Sequence, residues 1–282
     1  MSTGTWQGVA SSLCTSWQNF PLFPQQPLPA FPTPGAARGW RRAMKLWLGT
    51  FEGGGYCGWA QPGRAGIFLP TTHHAGLSAG QHLSDAFAQV NPLQKVPVLK
   101  DGDFILTESV AILLYLARKY KVPDHWYPRD LQACARVDEY LAWQHAALRR
   151  SCLRALWHKV MLPVFLGEPV SPEMLATTLA ELDMALQVLE GKFLQDKAFL
   201  TGPHISLADL VAITELMHPV GAGCQVFKGR PKLAAWRQRV EAAVGEVLFQ
   251  EAHEVILKAK DSQPADPTLK QKMLPKVLAM IQ

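Results

Sequence analysis

The chain has 282 residues, 48% of them hydrophobic and 18% charged. That suffices for a buried core in one or two domains and excludes a disordered polyelectrolyte; the absence of any run of eighteen apolar residues argues against a membrane protein. The net charge of +5 comes mostly from Arg38, Arg41, Arg42, Lys45 and Arg64, opposed before position 80 by Glu52 alone. The remainder is nearly balanced, so nucleic acid is excluded as a partner.

The first segment, to about Arg42, runs through Pro21, Pro24, Pro27, Pro29, Pro32 and Pro34 with no period of 2 or 3.6. It reads as a disordered tail over 1–42, unable to bury enough apolar surface to offset its ordering entropy. It lacks the basic and apolar regions of a secretory signal. Five cysteines, Cys14, Cys57, Cys134, Cys152 and Cys224, form no CxxC pair, which indicates a reducing compartment and disfavours a thioredoxin-type reductant. Nine histidines show no ligand spacing, His73 and His74 included, so no metal is expected.

Met44 to Phe51 predicts a short strand, ended by Gly53, Gly54 and Gly55, and the pattern stays poor up to Gly80. Ser84 to Val90 predicts a short helix. Val96 to Thr107 reads as a hairpin about an Asp101-Gly102 turn, after which Thr107 caps a helix from Glu108 to about Tyr120. Pro123 and Pro128 bracket a linker. Asp130 then caps a long helix, with Leu131, Tyr140, Leu141 and Leu148 inward, that stops near Pro163.

Ser171 and Pro172 open a helix whose Leu175, Leu179, Leu182, Leu186, Leu189 and Phe193 share one face. Ser206 and Asp209 form a capping box ahead of the apolar run Leu210 to Leu216. Helical stretches over Lys232 to Lys260 and Thr268 to Ile281 complete the chain.

The words NPLQKVPVL, TESVAILLYL and ISLADL resemble the glutathione transferases. GQHLSDAFAQVNP, KDGDF, WYPRDLQACARVDEYL and RPKLAAWRQRVE resemble the theta class in particular, over residues 80 to 282. The resemblance implies an α+β, mostly α fold: an incomplete thioredoxin-like domain over 43–124, an all-helical domain over 130–262 and a lid helix over 263–282 carrying Lys276.

It also implies roles. The Val96–Pro97 bond is cis in the family and presents the Val96 backbone to the cysteinyl unit of glutathione. Glu108 and Ser109 take the γ-glutamyl end, at a helix start where free N–H groups favour a carboxylate. His82 and Lys95 face the glycyl carboxylate. Arg149, Trp157 and His218 wall the electrophile pocket.

The family's activating serine stands in a Ser-Gln-Pro-x-Arg-Ala turn and lowers the thiol pKa by hydrogen bonding to the sulfur. Here the echo is Ala60, Gln61, Pro62, Gly63, Arg64 and Ala65, with alanine in the serine's place. Tyr56 and Cys57 sit between glycines and do not replace it, so no catalytic residue is assigned. Residues 1–79 read as an alternative or mis-joined first segment.

The implied activity is attack of the glutathione thiolate on alkyl halides and epoxides, with a peroxidase side activity, in a cytoplasmic homodimer serving detoxification. Glutathione is a co-substrate and no cofactor is expected. The alternative, prompted by the missing serine, is a non-catalytic glutathione-binding or dimerisation module.

Overall fold

The computed structural model describes Trp40, Arg41, Met44, residues 66–68 and residues 84–261. The expected placements of Tyr56, Cys57, Ala60, His82, Lys276 and the lid helix lie outside the described residues, as does most of the 1–42 tail.

Three short strands form one antiparallel sheet in the order β1 (Gly66–Phe68), β2 (Val98–Asp101), β3 (Phe104–Leu106). The hairpin stands where the alternation predicts it, with Leu99 opposite Leu106 and Asp101 opposite Phe104. Its turn falls on Gly102 and Asp103, one residue later than expected, with Gly102 at a φ of 63° that glycine adopts without steric cost. β1 was not expected: Ile67 pairs with Leu99 across a three-residue strand, too short to leave a period in the sequence. Met44, expected to begin a strand, is helical and buried.

Before the hairpin, Ser84 caps α1 (Asp85–Ala88) by accepting from the Phe87 N–H. After it, α2 (Ser109–Lys119) is entered through Glu108 rather than Thr107; Glu108 has φ 65° and ψ 115° and makes no side-chain capping bond. Asp101 ties hairpin to helix by accepting from Tyr115 Oη and Lys119 Nζ. Those two bonds, Lys119 first, hold the Asp101 carboxyl below its usual range.

The linker is fastened rather than loose. The Trp126 carbonyl accepts from the Leu207 N–H at 2.9 Å, and His125 Nδ1 lies 2.6 Å from the Ile205 carbonyl oxygen. The Trp126 ring packs edge-on against Trp40, centroids 5.5 Å apart. Trp40, inside the segment read as a tail, is helical and fully buried, so ordered packing begins before the expected boundary at 42.

Asp130 caps α3 (Leu131–Ala146) by accepting from the Ala133 N–H. The long helix expected there is divided. It breaks at Ala147 (φ −105°, ψ −83°), resumes as α4 (Leu148–Leu156), widens into a π turn (Trp157–Met161) and ends as α5 (Leu162–Leu166), running past Pro163 to a left-handed Gly167. Tyr140, Leu141 and Leu148 are buried as expected, but Leu131 is 81% exposed. It occupies the first helical position, where the side chain leans back over the preceding turn.

Ser171 caps α6 (Pro172–Val188) through the Met174 N–H, and a second π turn follows (Leu189–Leu194). Leu182, Leu186, Leu189 and Phe193 are buried, while Leu179 is exposed and Leu175 half-buried; the apolar stripe is wider than the face that packs. The capping box is present at α7 (Leu207–Gly221), which is buried along nearly its whole length among α3, α4, α8 (Pro231–Val244) and α9 (Glu246–Leu257). Gly245, at φ 100°, splits the expected 232–260 helix into these last two.

On α9, His253 is fully buried with Nδ1 at 2.8 Å from the Phe249 carbonyl oxygen. Desolvation, aided by repulsion from His218 and Arg237, lowers its pKa to about 4. The unfolded chain, titrating near 6.5, therefore binds the extra proton between these values. Stability contributed by neutral His253 is complete above about pH 6.5 and lost as pH falls toward 4, reaching about 2 kcal/mol at pH 5. Urea midpoints at pH 7.5 and 5 check this; His253→Gln narrows the difference, and an unchanged difference in that variant contradicts the assignment.

Candidate functional site

The site forms where the start of α2 meets α3. A cleft of about 250 Å³ lies between Glu108, Ser109 and Val110 on one side and Asp138, Leu141, Ala142 and His145 on the other. Glu108 is exposed and Ser109 buried. A non-glycine residue at positive φ is rare and accumulates at functional sites; here it stands directly ahead of the helix start. No side chain caps the α2 N-terminus, so its first N–H groups and dipole favour an incoming carboxylate.

Behind Ser109 lies a buried polar group. Arg149 Nη1 donates to Ser109 Oγ at 3.2 Å, joining residues 40 positions apart. The same guanidinium places Nε 3.7 Å from Glu215 Oε1, and His218 Nδ1 is 3.6 Å from Glu215 Oε2. His218 Nδ1 also lies 3.1 Å from the Glu215 carbonyl oxygen. Desolvation raises the Glu215 carboxyl above its usual range, opposed chiefly by His218 and Arg149.

The arrangement has two signs. The helix start with Arg149 behind it suits a carboxylate, and the Glu108 and Asp138 side chains on the cleft wall suit an ammonium. A ligand bearing both charges on one carbon, the amino-acid end of a peptide, matches this pairing.

The loop before β2 carries the residues expected to meet the rest of the ligand. The Val96–Pro97 bond is cis. Buried Asn91 shapes that loop by donating from Nδ2 to the Lys95 carbonyl at 2.7 Å and accepting from the Leu93 N–H at 3.1 Å. Lys95 is exposed and Val96 half-buried.

Arg149 and His218 thus face Glu215 and Arg149 links it to Ser109, while Trp157 opens the first π turn, half-buried, eight residues beyond Arg149. Sequence reasoning passed over Glu215, Asp138 and His145. For Glu215 the signal was present: a single carboxylate inside the mostly apolar run Leu210 to Leu216. Among the described residues, no three His, Cys, Asp or Glu side chains are placed to hold a metal, and no helix is long and apolar enough to cross a membrane.

Comparison with known proteins shows the family of the chain. The family models for the glutathione S-transferase N-terminal and C-terminal domains match residues 73–118 and 153–243. The chain is 97% identical over 206 residues to glutathione S-transferase theta-1 of Bos taurus, covering 73% of this chain and 86% of that protein. It superposes on human glutathione S-transferase T1-1 in its apo form with a TM-score of 0.73 and 72% identity, covering 88% of this chain and 97% of the other. A human theta-class transferase in complex with the glutathione conjugate of 1-menaphthyl sulfate aligns with a TM-score of 0.68 and 44% identity, over 86% of this chain and 96% of that one. By these likenesses the chain belongs to the glutathione S-transferases, theta class.

Proposed function

We propose that the chain conjugates glutathione to small electrophiles such as alkyl halides and epoxides, with reduction of hydroperoxides as a side activity. The observation that carries the reading is its 97% identity to a theta-1 transferase over 206 residues. In this reaction the thiolate attacks carbon, a C–S bond forms as the carbon–halogen bond breaks, the halide departs and the thiol proton passes to solvent. The binding-only alternative is not favoured, since relatives of such identity carry the transferase name.

Glu108 and Ser109 would hold the γ-glutamyl end, Glu108 toward the ammonium and Ser109 on the carboxylate. Val96 would pair with the cysteinyl backbone, and His82 and Lys95 would meet the glycyl carboxylate. Arg149, Trp157 and His218 would border the electrophile, with the 263–282 segment as a lid. The proposal includes the domain limits 43–124 and 130–262, a homodimer, a cytoplasmic location, and glutathione as co-substrate with no cofactor.

The test is halide release from a small alkyl halide by the purified chain, with glutathione binding followed calorimetrically in parallel. Turnover by the unaltered chain is the expected result, and Ala60→Ser is expected to raise it by supplying a hydroxyl to the sulfur. Glutathione binding without turnover in either form would instead support the binding module.

A further inference from the structure

Glu215 is costly where it stands. Its side chain is 1% exposed, within a helix otherwise rich in apolar residues. Oε2 has no hydrogen-bond partner among the described residues. Arg149 Nε at 3.7 Å from Oε1 and His218 Nδ1 at 3.6 Å from Oε2 stand beyond direct hydrogen-bond length. A buried carboxylate with an oxygen left without a hydrogen bond is commonly less stabilising than an apolar residue of the same volume. Packing of α7 does not account for it.

What the carboxylate faces does. Arg149 turns one edge of its guanidinium to Glu215 and donates from the other to Ser109 Oγ. Because that group is planar and rigid, fixing Nε fixes the direction of Nη1. A serine oxygen that accepts from a cation keeps its own O–H to donate, and donates more strongly for being polarised.

We infer that Glu215 is a positioning residue for the glutathione site: across the boundary between the helical and hairpin domains it aims Arg149 at Ser109, and so presents the Ser109 hydroxyl to the ligand carboxylate. The inference rests on the glutathione reading above. Glu215 itself does not touch glutathione.

The experiment uses the full chain, glutathione titrated to millimolar concentration, and four forms: unaltered, Glu215→Gln, Arg149→Met and the double variant. Glu215→Gln keeps the shape and removes the charge. Its thermal midpoint should hold or rise, while the glutathione Kd and KM increase about fivefold and kcat with an alkyl halide changes less than twofold. In the Arg149→Met chain, which binds more weakly, Glu215→Gln should add no further loss.

Three results overturn the inference alone: an unchanged Kd for Glu215→Gln in a chain that binds glutathione, an Arg149→Met chain that binds as well as the parent, or the same fivefold loss with and without Arg149. Failure of the unaltered chain to bind glutathione overturns the inference together with the reading beneath it.

Discussion

Replacing Asp209 with alanine lowers the unfolding free energy by about 4 kcal/mol and the thermal midpoint by about 10 °C. The fully buried carboxylate accepts from the Leu200 N–H at 2.8 Å and Trp236 Nε1–H at 2.8 Å on one oxygen, and from the Ser206 N–H at 2.9 Å and Ser206 hydroxyl at 3.0 Å on the other. Desolvation raises its pKa against the pull of those four donors, Trp236 first. Alanine strands the donors of a loop, a helix start and α8 at once, and each buried donor left unmade costs more than its bond contributed. Asp209→Asn should recover only part, because an amide NH2 facing one pair of donors cannot accept from them. Urea unfolding of the three chains decides the matter; a loss below about 1 kcal/mol for alanine would remove Asp209 from the centre of the helical domain.

Gly221→Ala should cost about 3 kcal/mol, although alanine ordinarily favours a helix by about 1 kcal/mol over glycine. The sign reverses because α7 and α9 meet here backbone to backbone. A methyl at Gly221 would lie 2.2 Å from the Ile256 carbonyl oxygen and 2.9 Å from its carbon, and a helix carbonyl cannot swing aside as a side-chain tip can. Gly191→Ala serves as the contrast, since nothing lies within 4 Å of a Cβ there, and it should leave stability unchanged or raise it slightly. Equal thermal midpoints for the two variants would contradict the close approach.

These two sites mark how far the sequence could be read. Ser84, Asp130, Ser171 and the Ser206–Asp209 pair announce helix starts in their own residue types, because capping is a local hydrogen bond and leaves a local signature. The hairpin about Gly102 is legible for the same reason. The break at Ala147 and the two π turns have no such mark: the surrounding residues suit an uninterrupted helix, and packing decides otherwise. β1 exists by pairing with β2, a contact between segments that neither segment states.

For the site the same division applies. Ser109, Arg149 and His218 could be named one by one from the family-like words around them. That Arg149 reaches from Glu215 to Ser109 is a relation among three helices and is visible only once they are folded together.

The fastened linker has a consequence for how the protein behaves as a chain. Trp126 supplies the carbonyl that receives the Leu207 N–H at the first residue of α7, and its ring packs against that of Trp40. The two domains therefore lack autonomy: a chain shortened to begin at Asp130 would keep every residue of the helical bundle yet open the N-terminal end of its central helix to water. The Pro-flanked stretch from Pro123 to Pro128, for all its resemblance to a hinge, belongs to the same cooperative unit as the helix it closes.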